Sequence, residues 1–381
     1  MRIGIDARFL MHGVGRYVEE LLSNLADLGG THDYSVFTSR SYPNAPSLNH
    51  LWDRKFQEIS GRGTLYSASG HVRIPYHVAR RSLQLFHATS FPTPLIRLCP
   101  TVVTIHDQAP RIDRRRLPFR SGMRGFLART YYDAMNAYAV HYARHIITVS
   151  QQAKRDILTF HPTVPPEKIS VIHHGVSSVF APAGPAEQAR VRAQHDLPPR
   201  YFLYIGTVNP GKNLVRVLEA FDTLRTASAW SHKLVVVARH DPRYQEFYRF
   251  WNRYRGRDAV RLLDHVEKAD LPGLYSGARA LLFPSEHESF GFPVLEAFAC
   301  GTPVVTSNIS GLPEIAGEAA LLVNPYSVEE IAAACQQLES DETLWQTLVE
   351  RGFARARQFS WRECAQKTVA VYEGVLNGHL K

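Results

Sequence analysis

Short apolar runs alternate with helical patterns along this chain. "MRIGID", "YSVFTS", "LQLFHA", "TVVTIHD" and "HIITVS" are brief hydrophobic stretches, each ending in polar or small residues. Between them lie two helical patterns, at residues 15–25 and 131–143. A second set follows: "YFLYIGTV", "KLVVVAR", "VRLLDHV", "ARALLFPS", "TPVVTS" and "AALLVN". Its intervening helices are expected at 214–227, 244–253 and 294–298. Strand and helix in alternation predict parallel sheets covered by helices. The two sets predict two doubly wound α/β domains. The Pro- and Ala-rich "SVFAPAGPAEQARVRAQHDLPPRY" divides them. The expected layout is a first domain over 1–182, a linker over 183–198 and a second domain over 199–360. A terminal amphipathic helix over 361–381, with Ala365, Val369, Tyr372 and Val375 on one side, is expected to cover its own sheet or pack back on the first domain.

Length agrees with this division, because 381 residues exceed what one simple core accommodates. No apolar run reaches the eighteen residues of a spanning helix. The start, "MRIGIDARFL", reads as a first strand and not as a cleavable signal. Four widely spaced cysteines, Cys99, Cys300, Cys335 and Cys364, show no ligand spacing and suggest reduced thiols in a cytoplasmic protein.

A formal charge of +9 suits a polyanionic partner. Part of the excess lies in "RIDRRRLPFRSGMRGFLARTYY", residues 111–132. There seven arginines interleave with Phe119, Phe126, Tyr131 and Tyr132. Such a stretch either lies on an anionic bilayer or is a solvated helix face with aromatic anchors. No nucleic-acid-binding module is recognisable, so nucleic acid is not expected as a partner.

In open α/β sheets ligands bind beyond the carboxyl ends of the strands. The candidate chemistry therefore belongs to four loops. "HGVGRYVEEL" offers Gly13 and Gly15 just before a helix, for close backbone approach or as a plain turn. It lacks the third glycine of a dinucleotide fingerprint. "VVTIHDQAP" places His106 and Asp107 directly after an apolar strand, where a histidine binds a hydroxyl, moves a proton or is simply packed. "YIGTVNPGKNL" brings Gly206, Thr207 and Lys212 to a helix mouth. Lys212 there is a diphosphate clamp or a solvated lysine.

"PSEHESFGFPVLEAFACGTPVV" holds Glu288 and Glu296, eight positions apart. Gly291 exposes the amides of Ser289, Phe290 and Gly291 to a phosphate. Pro293 suits a first helical turn. Glu288 can take sugar hydroxyls, and Glu296 a ribose diol. An acid pair favouring the helix dipole would explain Glu288 alone. Val266, closing "VRLLDHV", joins Gly13, Gly15, Gly206 and Thr207 among the candidate nucleotide-sugar-binding residues.

The segment Glu288-SFGFPVL-Glu296 resembles the E-x7-E signature of the retaining family-4 glycosyltransferases of GT-B fold. "GTPVVTSNISGLPEIAGEAALLVNP", "GVGRYVEEL", "TIHD", "HIITVSQQAKRDI", "KISVIHHGV", "YIGTVNPGKNL" and "FSWRECA" are similar to that family's other motifs, in the same order. The resemblance implies two Rossmann-like domains facing across a cleft. It implies that Glu296 binds the nucleotide ribose and that Glu288 contacts the donor sugar near the Phe290 and Gly291 amides. Lys212 would hold the diphosphate, Gly15 would approach it, and His106 would sit near the anomeric carbon, so His106, Glu288 and Lys212 form the expected catalytic set. The family's arginine near Lys212 is absent, with Thr207 and Gly211 in those places, and Arg239 is a candidate replacement.

The implied reaction moves a hexose, first of all mannose from GDP-mannose, to a hydroxyl of a lipid-linked or oligosaccharide acceptor in surface polysaccharide or O-antigen assembly. Anomeric configuration would be retained and no metal or other cofactor required. The enzyme would be cytoplasmic, with the inner membrane face as a candidate docking surface. Two rival readings are a GT-B sugar-nucleotide epimerase and a non-catalytic protein that binds anionic surfaces.

Overall fold

The computed structural model describes every residue except 9–11, 40–50, 52–55, 62–67, 113–121, 228–229 and 381. Two parallel sheets organise the chain. The first contains β1 (Arg2–Asp6), β2 (Asp33–Ser39), β3 (Phe56–Gly61), β4 (Leu85–Ala88), β5 (Thr101–Ile105), β6 (His145–Thr148) and β7 (Ile169–Val171). Its order is β3-β2-β1-β4-β5-β6-β7. The second contains β8 (Tyr201–Thr207), β9 (Lys233–Arg239), β10 (Val260–Leu263), β11 (Leu281–Phe283), β12 (Val304–Ser307) and β13 (Leu321–Val323), in the order β10-β9-β8-β11-β12-β13. All strand pairings are parallel. The central strands β4, β5, β6, β11 and β12 are buried along their whole length, as expected of strands covered on both faces.

Each sheet has its own core. In the first, Phe86, Val103, Ile105 and Ile146 meet Met135, Ala139 and Val140 of the Gly122–Tyr142 helix. In the second, Phe202, Tyr204, Leu234, Val236 and Leu282 meet Val217, Leu218 and Phe221 of the Leu214–Ala227 helix. Each buried Val, Leu, Ile, Phe or Met side chain among these contributes about 1.5–3 kcal/mol.

The chain forms two compact units. One takes Met1–Arg111, Phe119–Gly175 and Ser360–Lys381, and the other takes Val176–Phe359. The chain thus passes into the second unit after Gly175 and not at 182. The terminal helix Trp361–Leu376 belongs to the first unit, where it packs on the His12–Leu28 helix. Its Ala365, Tyr372 and Val375 are buried.

Several expectations need correction. Residues 183–198 are no linker, because Pro185–His195 is a helix packed on the Leu271–Ser276 helix. Pro185 suits a first helical turn, and Arg190, Gln194 and His195 all reach the Asp270 carboxylate. The first helix starts at His12, so Gly13 and Gly15 lie inside its first turn and not in a loop before it. Strand β10 stops at Leu263, which leaves Val266 in the following loop, still buried. The helix expected at 131–143 runs from Gly122 to Tyr142. Of the basic stretch 111–132, residues 113–121 lie outside the described residues.

Candidate functional site

The strand orders locate the site. In the second sheet the chain moves outward from β8 through β9 to β10, then returns to β11 on the other side of β8. The reversal between β8 and β11 is where such sheets bind ligands, beyond their carboxyl ends. The loops leaving these two strands carry Lys212 and Glu288.

Both loops are fixed by their own hydrogen bonds. Asn209 accepts from Gly211 N (2.9 Å) and shapes the turn at 210–212. Asn213, at φ 64°, donates through its amide to the carbonyls of Pro284 (2.9 Å) and Pro325 (2.6 Å). Asparagine tolerates this left-handed backbone better than most residues. Glu286 N donates to Gly211 O at 2.9 Å and joins the two loops. Tyr204, fully buried, donates to the carbonyls of Thr207 and Lys212 (both 3.1 Å) and holds the first loop from below. Lys212 then reaches Glu288, its Nζ donating to Oε1. The ammonium also stands 5.4 Å from the Phe283 ring centroid, a cation–π distance.

The third wall is the turn before the Phe292–Ala299 helix. Ser310 Oγ and Gly311 N donate to Glu288 O (both 2.8 Å), and Glu288 N donates to Ser310 Oγ (3.1 Å). Gly291 has φ +99°, and a Cβ there would meet Leu312 Cδ2 at 2.7 Å. Only glycine fits that turn. Pro293 lies in the first helical turn. Ser289 is buried, yet its hydroxyl has no hydrogen-bond partner, and neither has that of Ser285 after β11. An orphaned buried hydroxyl in a loop beyond the strands fits a polar ligand. Phe290 is packed between the rings of Phe292 and Phe359, so its ring belongs to the packing of this turn.

Glu296 stands in the same helix. It is 3% exposed, and the Tyr275 hydroxyl donates to its Oε2 at 2.8 Å. Gly206 pairs with Ala238 and Thr207 with Arg239 across the β8–β9 ladder, which puts the exposed Arg239 next to the loop that leads to Lys212. In the loop after β10, Asp264 accepts from His240 N (2.5 Å) and fixes the chain just before Val266.

In the first unit the reversal falls between β1 and β4, and His106 directly follows β5, the next strand. His106 Nε2 lies 2.9 Å from Thr89 O. A carbonyl only accepts, so Nε2 carries the proton and Nδ1 of the neutral ring is an acceptor. Burial lowers the pKa of His106, which favours the neutral ring, although the Thr89 carbonyl and Asp107 oppose the shift. The Tyr17 ring meets that of His106 edge-on at 4.9 Å. Gly15 is buried and Gly13 exposed at the start of the helix that carries Tyr17.

Sequence reasoning missed two features. One is the Tyr275 partner of Glu296. The other is a buried relay in which Tyr17 Oη meets Thr104 Oγ1 (3.0 Å), Thr104 meets His87 Nε2 (2.8 Å), and His87 Nδ1 meets Tyr372 Oη (2.6 Å). Burial pushes His87 down to about 3. The available signal was a histidine inside the otherwise apolar strand "LFHA".

Two parallel α/β units, with a lysine–glutamate pair at a strand reversal and a carboxylate held in the adjoining helix, define a doubly wound α/β protein with a polar site at the carboxyl ends of its strands. Residues 11–180 match the family described as Glycosyltransferase Family 4, and residues 186–355 match Glycosyl transferases group 1. The chain belongs to these glycosyltransferases and is an enzyme of that class. It is 28% identical to the O-antigen chain mannosyltransferase B of Escherichia coli, over 96% of this chain and 97% of that one. It is 26% identical to an MMP alpha-(1->4)-mannosyltransferase of Mycolicibacterium hassiacum, over 95% and 94%. Among solved structures, sucrose-phosphate synthase of Thermosynechococcus elongatus superimposes with a TM-score of 0.76 at 21% identity, over 99% of this chain and 100% of that one. HepE of Anabaena, in complex with UDP-glucose, gives 0.76 at 16%, over 98% and 100%. At these identities the structural likeness establishes the fold, which is GT-B with two Rossmann-like domains.

Proposed function

We propose that this enzyme transfers mannose from GDP-mannose to a hydroxyl of a lipid-linked or oligosaccharide acceptor in O-antigen or related polysaccharide assembly, with retention at the anomeric carbon. The observation that carries the site reading is the pairing of Lys212 with Glu288 at the strand reversal. The full-length similarity to named mannosyltransferases supports the sugar. Lys212 exchanges Glu288 for the donor diphosphate, and Glu288 turns to the sugar hydroxyls. The Ser289, Phe290 and Gly291 amides meet the same phosphates, Gly206 and Thr207 line their approach, and Arg239 adds charge beside Thr207. Glu296 takes the ribose and Val266 packs on the nucleoside. In the first unit, Gly13 and Gly15 at the helix start and the acceptor Nδ1 of His106 are the groups offered to a sugar.

The bond from the anomeric carbon to the diphosphate oxygen breaks while the acceptor oxygen bonds to the same face. The acceptor proton passes to the leaving diphosphate. Lys212 and the loop amides stabilise the charge that develops there, so we assign no metal to the step. This electrostatic work is the protein's main contribution, aided by exclusion of water.

A thermal-shift panel of GDP-, UDP-, ADP- and dTDP-sugars, in chelator, tests the reading on the wild type and on Glu296→Ala. The expected result is a selective rise with the GDP sugar that Glu296→Ala loses. No rise with any of the four would overturn the donor site. Product analysis separates transfer from epimerisation.

We assign the acceptor side to an anionic membrane face. The Gly122–Tyr142 helix exposes Met123, Phe126 and Leu127, and the 95–98 loop exposes Leu95, Ile96 and Leu98 beside Arg97. Among the described residues no helix is long and apolar enough to cross a membrane. Sedimentation with anionic vesicles checks this assignment.

A further inference from the structure

Glu296 is a glutamate with three rotatable bonds, buried in the Phe292–Ala299 helix. A carboxylate that recognises a vicinal diol must present its plane in one orientation. Left to itself, a glutamate populates several rotamers, and a binding group is precise only when neighbouring groups lock it. In this protein the lock is visible. Tyr275 is fully buried and its hydroxyl donates to Glu296 Oε2 at 2.8 Å.

Tyr275 is itself pinned. Its carbonyl accepts from Thr302 Oγ1 at 2.7 Å. The next residue, Ser276, donates through Oγ to Cys300 O (3.0 Å) and accepts from Ala183 N (3.0 Å). The Leu271–Ser276 helix is thus tied at two points to the chain leaving the Phe292–Ala299 helix. The Tyr275 ring also meets Phe180 edge-on at 6.1 Å. A fully buried phenol needs a hydrogen-bond acceptor, and the Glu296 carboxylate supplies it.

We propose that Tyr275 is a positioning residue for nucleotide recognition. By fixing Oε2 it sets the plane of the Glu296 carboxylate, and so makes the site select a ribonucleotide donor over a deoxyribonucleotide one. The inference rests on Glu296 as the ribose acceptor. It adds that selectivity against deoxyribose comes from a residue that does not touch the ligand. A charge-assisted hydrogen bond of this kind is among the stronger ones available.

Titration calorimetry of GDP and UDP, each with its 2′-deoxy and 3′-deoxy form, tests the proposal on the wild type and on Tyr275→Phe. The expected wild-type result is binding about tenfold weaker for each deoxy form. In Tyr275→Phe the ribonucleotide weakens by about tenfold while the deoxy forms stay within about twofold of their wild-type affinities, so the discrimination disappears. In a Glu296→Ala background the same substitution costs no further affinity, whereas a merely structural role would weaken all ligands there too. If Tyr275→Phe does not fold, Thr302→Val, which removes the brace and leaves the phenol, carries the test and lowers the same ratio. An unchanged ribose-to-deoxyribose ratio in the folded variant overturns the proposal and leaves Glu296 standing as the ribose acceptor. A wild type that binds ribose and deoxyribose forms alike overturns that reading of Glu296, and the proposal with it.

Discussion

Lys212 and Glu288 neutralise each other in a setting that is only partly wet, with side chains 24% and 13% exposed. A pair like this lets a cation wait at a phosphate site without a large desolvation penalty. It also means that removing one partner strands the other's charge. The two substitutions should therefore behave differently. On the proposed mechanism Lys212→Ala removes the charge that stabilises the leaving diphosphate, and kcat should fall by about 10²- to 10³-fold. Glu288→Gln keeps Lys212 in place and frees it for the diphosphate. Donor affinity should then hold or improve while kcat falls, because the sugar is no longer oriented. Steady-state transfer combined with donor titration measures both effects. A Lys212→Ala enzyme with kcat within about tenfold of wild type would remove the diphosphate role. Lys212→Arg should not restore full activity, since a planar fork replaces a compact ammonium.

The proposed membrane docking rests on one helix and one loop. Arg97 donates to Tyr142 O (2.6 Å) and Tyr138 Oη donates to Leu95 O (2.6 Å), so the 95–98 loop is tied to the end of the Gly122–Tyr142 helix. Replacing Ile96, Phe126 and Leu127 together by serine should cut sedimentation with phosphatidylglycerol vesicles by about tenfold or more, because three apolar side chains lose their insertion energy. Binding that survives the triple variant and vanishes in salt would make the attachment purely electrostatic.

Elements also show what the sequence could reveal. All six strands of the second sheet were legible, because each is an apolar run closed by turn residues. Strand β3 escaped, since "FQEISG" alternates buried and open positions at a sheet edge, and β7 is three residues long at the other edge. The Pro185–His195 helix was hidden because Pro and Ala read as a linker, although Pro185 starts a helix well. Glu288, Lys212 and Gly291 were legible from local spacing. The Tyr275–Glu296 bond and the Tyr17–Thr104–His87–Tyr372 relay were not. Their partners lie between 17 and 285 positions apart, and no periodicity encodes a contact of that range.

For the whole molecule, the distribution of buried histidines sets the response to acid. Burial pushes His87 down to about 3, and His145 and His161 each to about 4; all three belong to the first unit. In the second unit burial also lowers His232, but Glu339 opposes the shift. Above pH 6.5 neither the folded nor the unfolded chain holds these protons, so stability is flat on this account. Between pH 6.5 and the lowered values only the unfolded chain binds them, so stability falls as pH falls. For the fully buried His87 the loss from pH 7 to pH 5 amounts to at most about 2 kcal/mol. The first unit should therefore open before the second on acidification. Hydrogen exchange of the full chain, corrected for intrinsic rate, should show protection lost in β4, β5 and β6 at pH 5 while β8 and β11 keep theirs. Overall charge also grows in acid, and self-repulsion would weaken both units. His87→Gln separates the two causes. It should be less stable than wild type at pH 7 yet show a shallower decline to pH 5, because the titrating group is gone. A decline as steep as the wild type's would remove His87 from the acid response and leave it to the other lowered histidines and to net charge.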